Sequence, residues 1–213
     1  CHAAEDETLA QLRAGGERVP PRSMIKTPSQ IVGCREAGRI NSLILDKFSE
    51  NIRVGMTTEE INEIVASETR ALGGIPAPLG YEGFPKCVCT SVNDQVCHGI
   101  PSPKVVLKEG DIVNVDCTTI VDGYYGDASR MFMIGEVSER AKKLVSVTES
   151  AVRAAVAGLY PYCHLGDIGA TISGIARKNG YTVVRDIGGH GVGLKMHEDP
   201  YVCHIGQRGK GLI

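Results

Sequence analysis

Apolar residues recur along this chain at two periods, and the period changes near residue 86 and again near residue 139. Between residues 27 and 73 the period is helical. Ala37, Ile40, Ile44 and Phe48 follow one another at intervals of three or four, which stacks them on one helix face. Thr27 is a good capping residue and Pro28 suits the first helical position, so a helix is expected from there to about Asn51. A second helix is expected from Thr57, where Glu60 completes a capping box. It continues through Ile61, Ile64, Val65 and Leu72 to Gly73-Gly74. Upstream, residues 1–20 read as a marginal helix ending at Gly15-Gly16 and followed by Pro20-Pro21. The pair Cys1-His2 reads as the cut end of something longer and carries little weight as a metal motif.

Residues 86–134 change to strand-like patterning. Lys86 to Val92 and Ile112 to Val121 are expected strands, and Asp122-Gly123 is a strong hairpin signal. The return strand should run from Tyr124 to about Ile134. Two more helices are expected, Glu139–Leu159 and Asp167–Lys178, followed by a strand opening at Gly180-Tyr181-Thr182-Val183-Val184. The order partly repeats. Each half has a long helix, a short link with a glycine (Gly55, Gly166), a second helix, a glycine stop and then strands. A duplicated α+β unit accounts for this, with the second copy running out in its strands. Residues 1–23 are expected to be an N-terminal extension and 24–213 the domain.

Composition narrows the class without naming it. The 213 residues are 42% hydrophobic and 23% charged, ordinary values for a globular protein. A net charge of -2 makes no case for nucleic acid or an anionic membrane. No apolar run reaches the ~18 residues of a membrane span, and no signal peptide is visible at the start, so the cytoplasm is the expected compartment. Most of the 8 cysteines sit in apolar runs and read as buried free thiols.

The candidate chemistry lies on the hairpin. With Asp122-Gly123 as a two-residue loop, Val121 faces Tyr124 and Asp116 faces Ser129. Side chains alternate, so Asp127 shares a face with Asp116, and their Cβ atoms are expected about 7 Å apart. Asp122 reads as a surface residue beside the turn. Asp116, in Ile-Val-Asn-Val-Asp-Cys, has apolar neighbours, and a buried carboxylate there calls for a cation. Of the 6 histidines, His98, His190 and His197 have unusual settings, and His190 is wrapped in glycines. His164 and His204 read as incidental. Oxygen-rich ligation with one imidazole suits Mn, Fe, Co or Zn rather than a closed thiolate site. Helical HExxH, phosphate-loop and GxSxG patterns are absent.

Taken together the motifs resemble type I methionine aminopeptidases, metallopeptidases of the pita-bread (creatinase/aminopeptidase-like) fold. The matching stretches begin with Tyr81-Glu-Gly-Phe84-Pro-Lys, Thr90-Ser-Val-Asn-Asp and Val96-Cys-His-Gly-Ile-Pro101. They continue with Gly110-Asp-Ile-Val-Asn-Val-Asp116, Asp122-Gly-Tyr-Tyr-Gly-Asp127 and Gly189-His-Gly-Val-Gly-Leu-Lys-Met-His-Glu-Asp-Pro200. The resemblance implies an α+β fold of pseudo-twofold duplicated halves, the second truncated. It implies two divalent metal ions (Co, Mn, Fe or Zn). Asp116 would be a bidentate ligand of one ion, Asp127 a bridging ligand and His190 the imidazole ligand of the other. His98 would sit near the substrate amine, and His197 would polarise the peptide carbonyl. Tyr81, Phe84, Cys89 and Met196 would line the methionine pocket. Pro78 and Met196 stand where the family often has Cys and Phe.

The implied activity is removal of the initiator methionine from peptides and nascent chains, with transient ribosome association as a further partner. The family's two glutamates, one in a Thr-x-Glu-Pro stretch, are expected after Ile213. Glu198 belongs to the His-Glu-x-Pro signature and does not replace them. The chain alone is therefore expected to be inactive or weak. The alternatives are a catalytically incomplete fragment, a same-fold binding protein, or a prolidase-like peptidase cutting before proline.

Overall fold

A computed structural model of the chain describes residues 2–213, with side chains from Glu7 onward. The Cys1-His2 pair lies outside the described side chains. The elements run α1 (His2–Ala14), α2 (Pro28–Ser49), α3 (Thr58–Ala71), β1 (Ile75–Pro76), β2 (Cys89–Val92), β3 (Ile112–Val121) and β4 (Tyr124–Met133). They continue α4 (Glu139–Ala157), α5 (Leu165–Lys178), β5 (Gly189–Gly191) and β6 (Glu198–Val202). Contacts divide the chain into two units. The hairpin unit is Thr27–Lys143 with Val192–Glu198. The α5 unit is the N-terminal part to Lys26 with Leu144–Gly191 and Asp199–Ile213.

In the hairpin unit both helices start at the expected caps. The Thr27 hydroxyl accepts from the Gln30 N–H at 3.2 Å, and the Gln30 side chain accepts from the Thr27 N–H at 2.8 Å. Thr57 and Glu60 make the same reciprocal pair at 3.1 and 2.7 Å. Each pair satisfies backbone donors that the first helical turn cannot. α2 then buries Ala37, Ile40, Ile44 and Phe48, the periodic set, and adds Asn41 and Leu45.

The sheet is antiparallel and centred on β3. β4 pairs along one edge, while β2 and the short β1 share the other. One face, carrying Val113, Val115 and Cys117, packs with Phe48, Val65 and Phe132 in the core. α2 is fastened to this face by Asn41. Its amide donates to the Cys117 carbonyl at 2.8 Å and its oxygen accepts from the Thr119 hydroxyl at 2.7 Å. Gly126 in β4 lies against the Ala37 carbonyl, where a Cβ would collide with backbone. The hairpin therefore needs glycine at that point for α2 to approach.

Two strand expectations are corrected. Lys86–Val88 is not in a strand, because the Cys87 N–H goes instead to the Asn62 side chain at 2.8 Å. A backbone donor satisfied by a side chain needs no ladder partner. Residues 180–184 form no strand either; they alternate partly buried and exposed positions, and the Tyr181 N–H turns back to the Ala176 carbonyl at 2.9 Å. β propensity there supplies an extended pattern but not a neighbour.

In the α5 unit, α1 ends as expected before Gly15-Gly16, with the Gly15 N–H on the Gln11 carbonyl at 2.9 Å. His164 precedes α5. Its backbone N–H reaches the Asp167 carboxylate at 3.0 Å and its ring contacts Glu17 at 2.8 Å. A long helix followed by a second one recurs, but Gly166 lies in the first turn of α5 and not in the link before it.

The cysteine expectation is also corrected. Of those described, Cys87, Cys89 and Cys117 are buried, Cys34 and Cys163 are half-buried, and Cys97 and Cys203 are exposed. An apolar run in sequence does not guarantee a buried position once its backbone lies in a surface loop. All of these are free thiols.

Candidate metal centre

The hairpin builds the carboxylate pair as its turn dictates. Asp122 and Gly123 both take positive φ, 50° and 82°, the conformation of a two-residue hairpin loop. Val121 then pairs with Tyr124, Asp116 with Ser129, and Thr118 with Asp127. Asp116 and Asp127 are diagonal neighbours on the face opposite the core, each half-buried. The Thr118 hydroxyl donates to Asp127 Oδ1 at 3.0 Å. No sequence motif flags Thr118. The available signal was its register position directly across the turn from Asp127.

Cys89, in β2, is paired with Asp116. Burial, followed by the negative charges of Asp116, Cys97 and Asp127, pushes its thiol up to about 12. Burial raises Cys117 likewise to about 12. The folded chain therefore holds both protons more tightly than the unfolded chain. This stabilisation is complete below pH 9 and is lost as pH rises from there through 12. Melting temperature should accordingly fall as pH is raised from 9 to 11. In the same protein at pH 8, iodoacetamide should label Cys97 and Cys203 while Cys89 and Cys117 resist. Peptide mapping by mass spectrometry reads the pattern, and early labelling of Cys89 would contradict it.

The remaining expected residues fall in both units. His190, on β5 of the α5 unit, is half-buried and its Nδ1 lies 2.8 Å from the Gly191 carbonyl. A carbonyl only accepts, so Nδ1 is the donor in this contact, and Nε2 is the ring nitrogen suited to a metal. In the hairpin unit, His197 Nδ1 meets the Tyr81 hydroxyl at 2.8 Å, with the rings edge to face at 5.2 Å. His98 is exposed and has φ 55°, a left-handed conformation held in the loop after Cys97. Phe84 and Met196 are half-buried, and Pro78 is buried. Glu198 accepts from the Leu194 and Lys195 N–H groups, so its carboxylate organises the turn that carries His197.

Among the described residues, no three His, Cys, Asp or Glu side chains are gathered as a metal cage. The hairpin's donor chemistry nevertheless fits a divalent ion. Two like charges are held on one face beside a buried thiol that their field opposes ionising, and a cation relieves that repulsion. Both donors are hard oxygens, as such ions prefer.

The description of metallopeptidase family M24 matches residues 33–212. The chain belongs to this family. Methionine aminopeptidase A of Synechocystis is 47% identical over 182 residues, covering 85% of this chain and 72% of that protein. The crystal structure of methionine aminopeptidase from Rickettsia prowazekii superposes with a TM-score of 0.85 at 42% identity, over 88% of this chain and 75% of that one. Prolidase from Pyrococcus furiosus, at 22% identity and a TM-score of 0.72, covers 85% of this chain and 52% of its own, and shares the fold alone. The expected α+β pita-bread fold is thus borne out for this M24 chain. No helix among the described residues is long and apolar enough to cross a membrane.

Proposed function

We propose that this protein is a methionine aminopeptidase, removing the N-terminal methionine from peptides and nascent chains by metal-assisted hydrolysis of the first peptide bond. The observation that carries this reading is the 38–47% identity to methionine aminopeptidases over most of the chain. Asp116, Asp127 and His190 would hold the metal, as two divalent ions drawn from Co, Mn, Fe or Zn. Such ions supply Lewis acidity and positive charge at the scissile carbonyl. His197 contributes a hydrogen bond to that carbonyl, and the Tyr81 hydroxyl on its other nitrogen fixes the ring's orientation. His98 stands near the substrate amine.

Tyr81, Phe84, Cys89 and Met196 line the pocket in this reading. Cys89 is buried and its thiol stays protonated, so it presents a small apolar wall to a thioether side chain. Residues 1–23 are read as an extension, with nascent chains at the ribosome in the cytoplasm as the setting.

The test is made on the protein as the cell produces it, loaded with Mn or Co. Release of methionine from Met-Ala-Ser is expected, with no cleavage of an Xaa-Pro dipeptide. Preference for the proline substrate would transfer the protein to the prolidase reading. Metal binding without hydrolysis of either would make it a binding protein of this fold.

A further inference from the structure

We propose that Thr118 is a positioning residue for the metal centre, its hydroxyl fixing the orientation from which the Asp127 carboxylate coordinates. The inference rests on the reading of Asp127 as a metal ligand. It is carried by the geometry of the hairpin. Thr118 is the direct cross-strand partner of Asp127, and its Oγ1 lies 3.0 Å from Asp127 Oδ1. An ionised carboxylate only accepts, so the hydroxyl is the donor.

Three features make this donor rigid. Thr118 is only 3% exposed. Its backbone is held from both sides of β3, by β4 and by the Ala77 N–H donating to its carbonyl at 2.9 Å. Its branched Cβ restricts rotation about χ1. A donor that cannot turn away sets the plane of the carboxylate it holds. A carboxylate with one oxygen so held loses less rotational freedom when it coordinates, and neighbours of this kind set both orientation and affinity in metal sites.

Thr118→Val keeps the branched shape and deletes the donor, while Thr118→Ser keeps the donor. The protein is stripped with chelator and titrated calorimetrically with Mn alone. T118V is expected to bind Mn about tenfold to a hundredfold more weakly than wild type. T118S is expected to bind close to wild type. Melting of the metal-free proteins is recorded beside the titrations. A purely structural role predicts lowered melting temperature with unchanged Mn affinity in the folded fraction. Wild-type affinity in T118V, or equal losses in T118V and T118S, overturns the proposal. Should T118V fail to fold, Thr118→Ala takes its place against T118S. D127N separates the two levels. If D127N leaves Mn affinity unchanged, the reading of the metal centre falls and the role of Thr118 with it. If D127N loses binding and T118V does not, only the role of Thr118 falls.

Discussion

Asp116→Asn is expected to weaken divalent-metal binding at least about a hundredfold, roughly 2.7 kcal/mol, and to remove methionine release with it. The substitution keeps size and planar shape but takes away the charge that opposes the cation. It also replaces one acceptor oxygen by a donor NH2, which turns hydrogens toward the metal. Asp116 sits in mid-β3, paired with Cys89 on one side and Ser129 on the other, so its backbone is fixed in the sheet. The control is Asp122→Asn at the tip of the same hairpin. Asp122 has φ 50° and is exposed; asparagine tolerates that conformation, so D122N should leave metal affinity intact. Calorimetric titration with Mn distinguishes the two. Wild-type affinity in D116N would remove this carboxylate from the metal centre.

Phe48→Ala should lower the stability of the folded chain by about 3–5 kcal/mol. Phe48 has no exposed surface and meets Phe132 edge-on, the ring centroids 5.3 Å apart at 89°. It therefore joins α2 to β4 in the core behind the carboxylate pair. Truncation removes apolar burial and the aromatic contact together and leaves a cavity that the surrounding strands cannot collapse to fill. Urea unfolding measures the change; a loss under about 1 kcal/mol would mean that the core repacks.

Where sequence and structure agree, the reason is local. Thr27 with Pro28, and Thr57 with Glu60, place helix starts through contacts within one turn. Asp122-Gly123 sets the register of the whole hairpin, so the shared face of Asp116 and Asp127 followed from counting. What escaped the sequence is non-local. The Asn62 side chain takes the Cys87 N–H from 25 positions away and removes the need for a strand at residues 86–88. β1 contains Pro76 and spans two residues, which leaves no periodic signal to read. The Tyr81 hydroxyl meets His197 across 116 positions. Register alone sets Thr118 opposite Asp127, but an uncharged side chain carries no sign of a metal site in the sequence.

The hairpin loop also acts as a parity switch. Side chains in a strand alternate with a period of two. One residue added and taken into the pairing, with β3 unchanged, would turn Asp127 to the core face opposite Cys117 and set Tyr125 in the place of Gly126, where even a methyl group collides with the Ala37 carbonyl. Two residues taken into the pairing would restore the face but set Asp127 directly opposite Asp116 in place of its present diagonal position. In most hairpins loop length is a matter of tolerance. In this one it decides whether the two carboxylates proposed as metal ligands stand on one face at all.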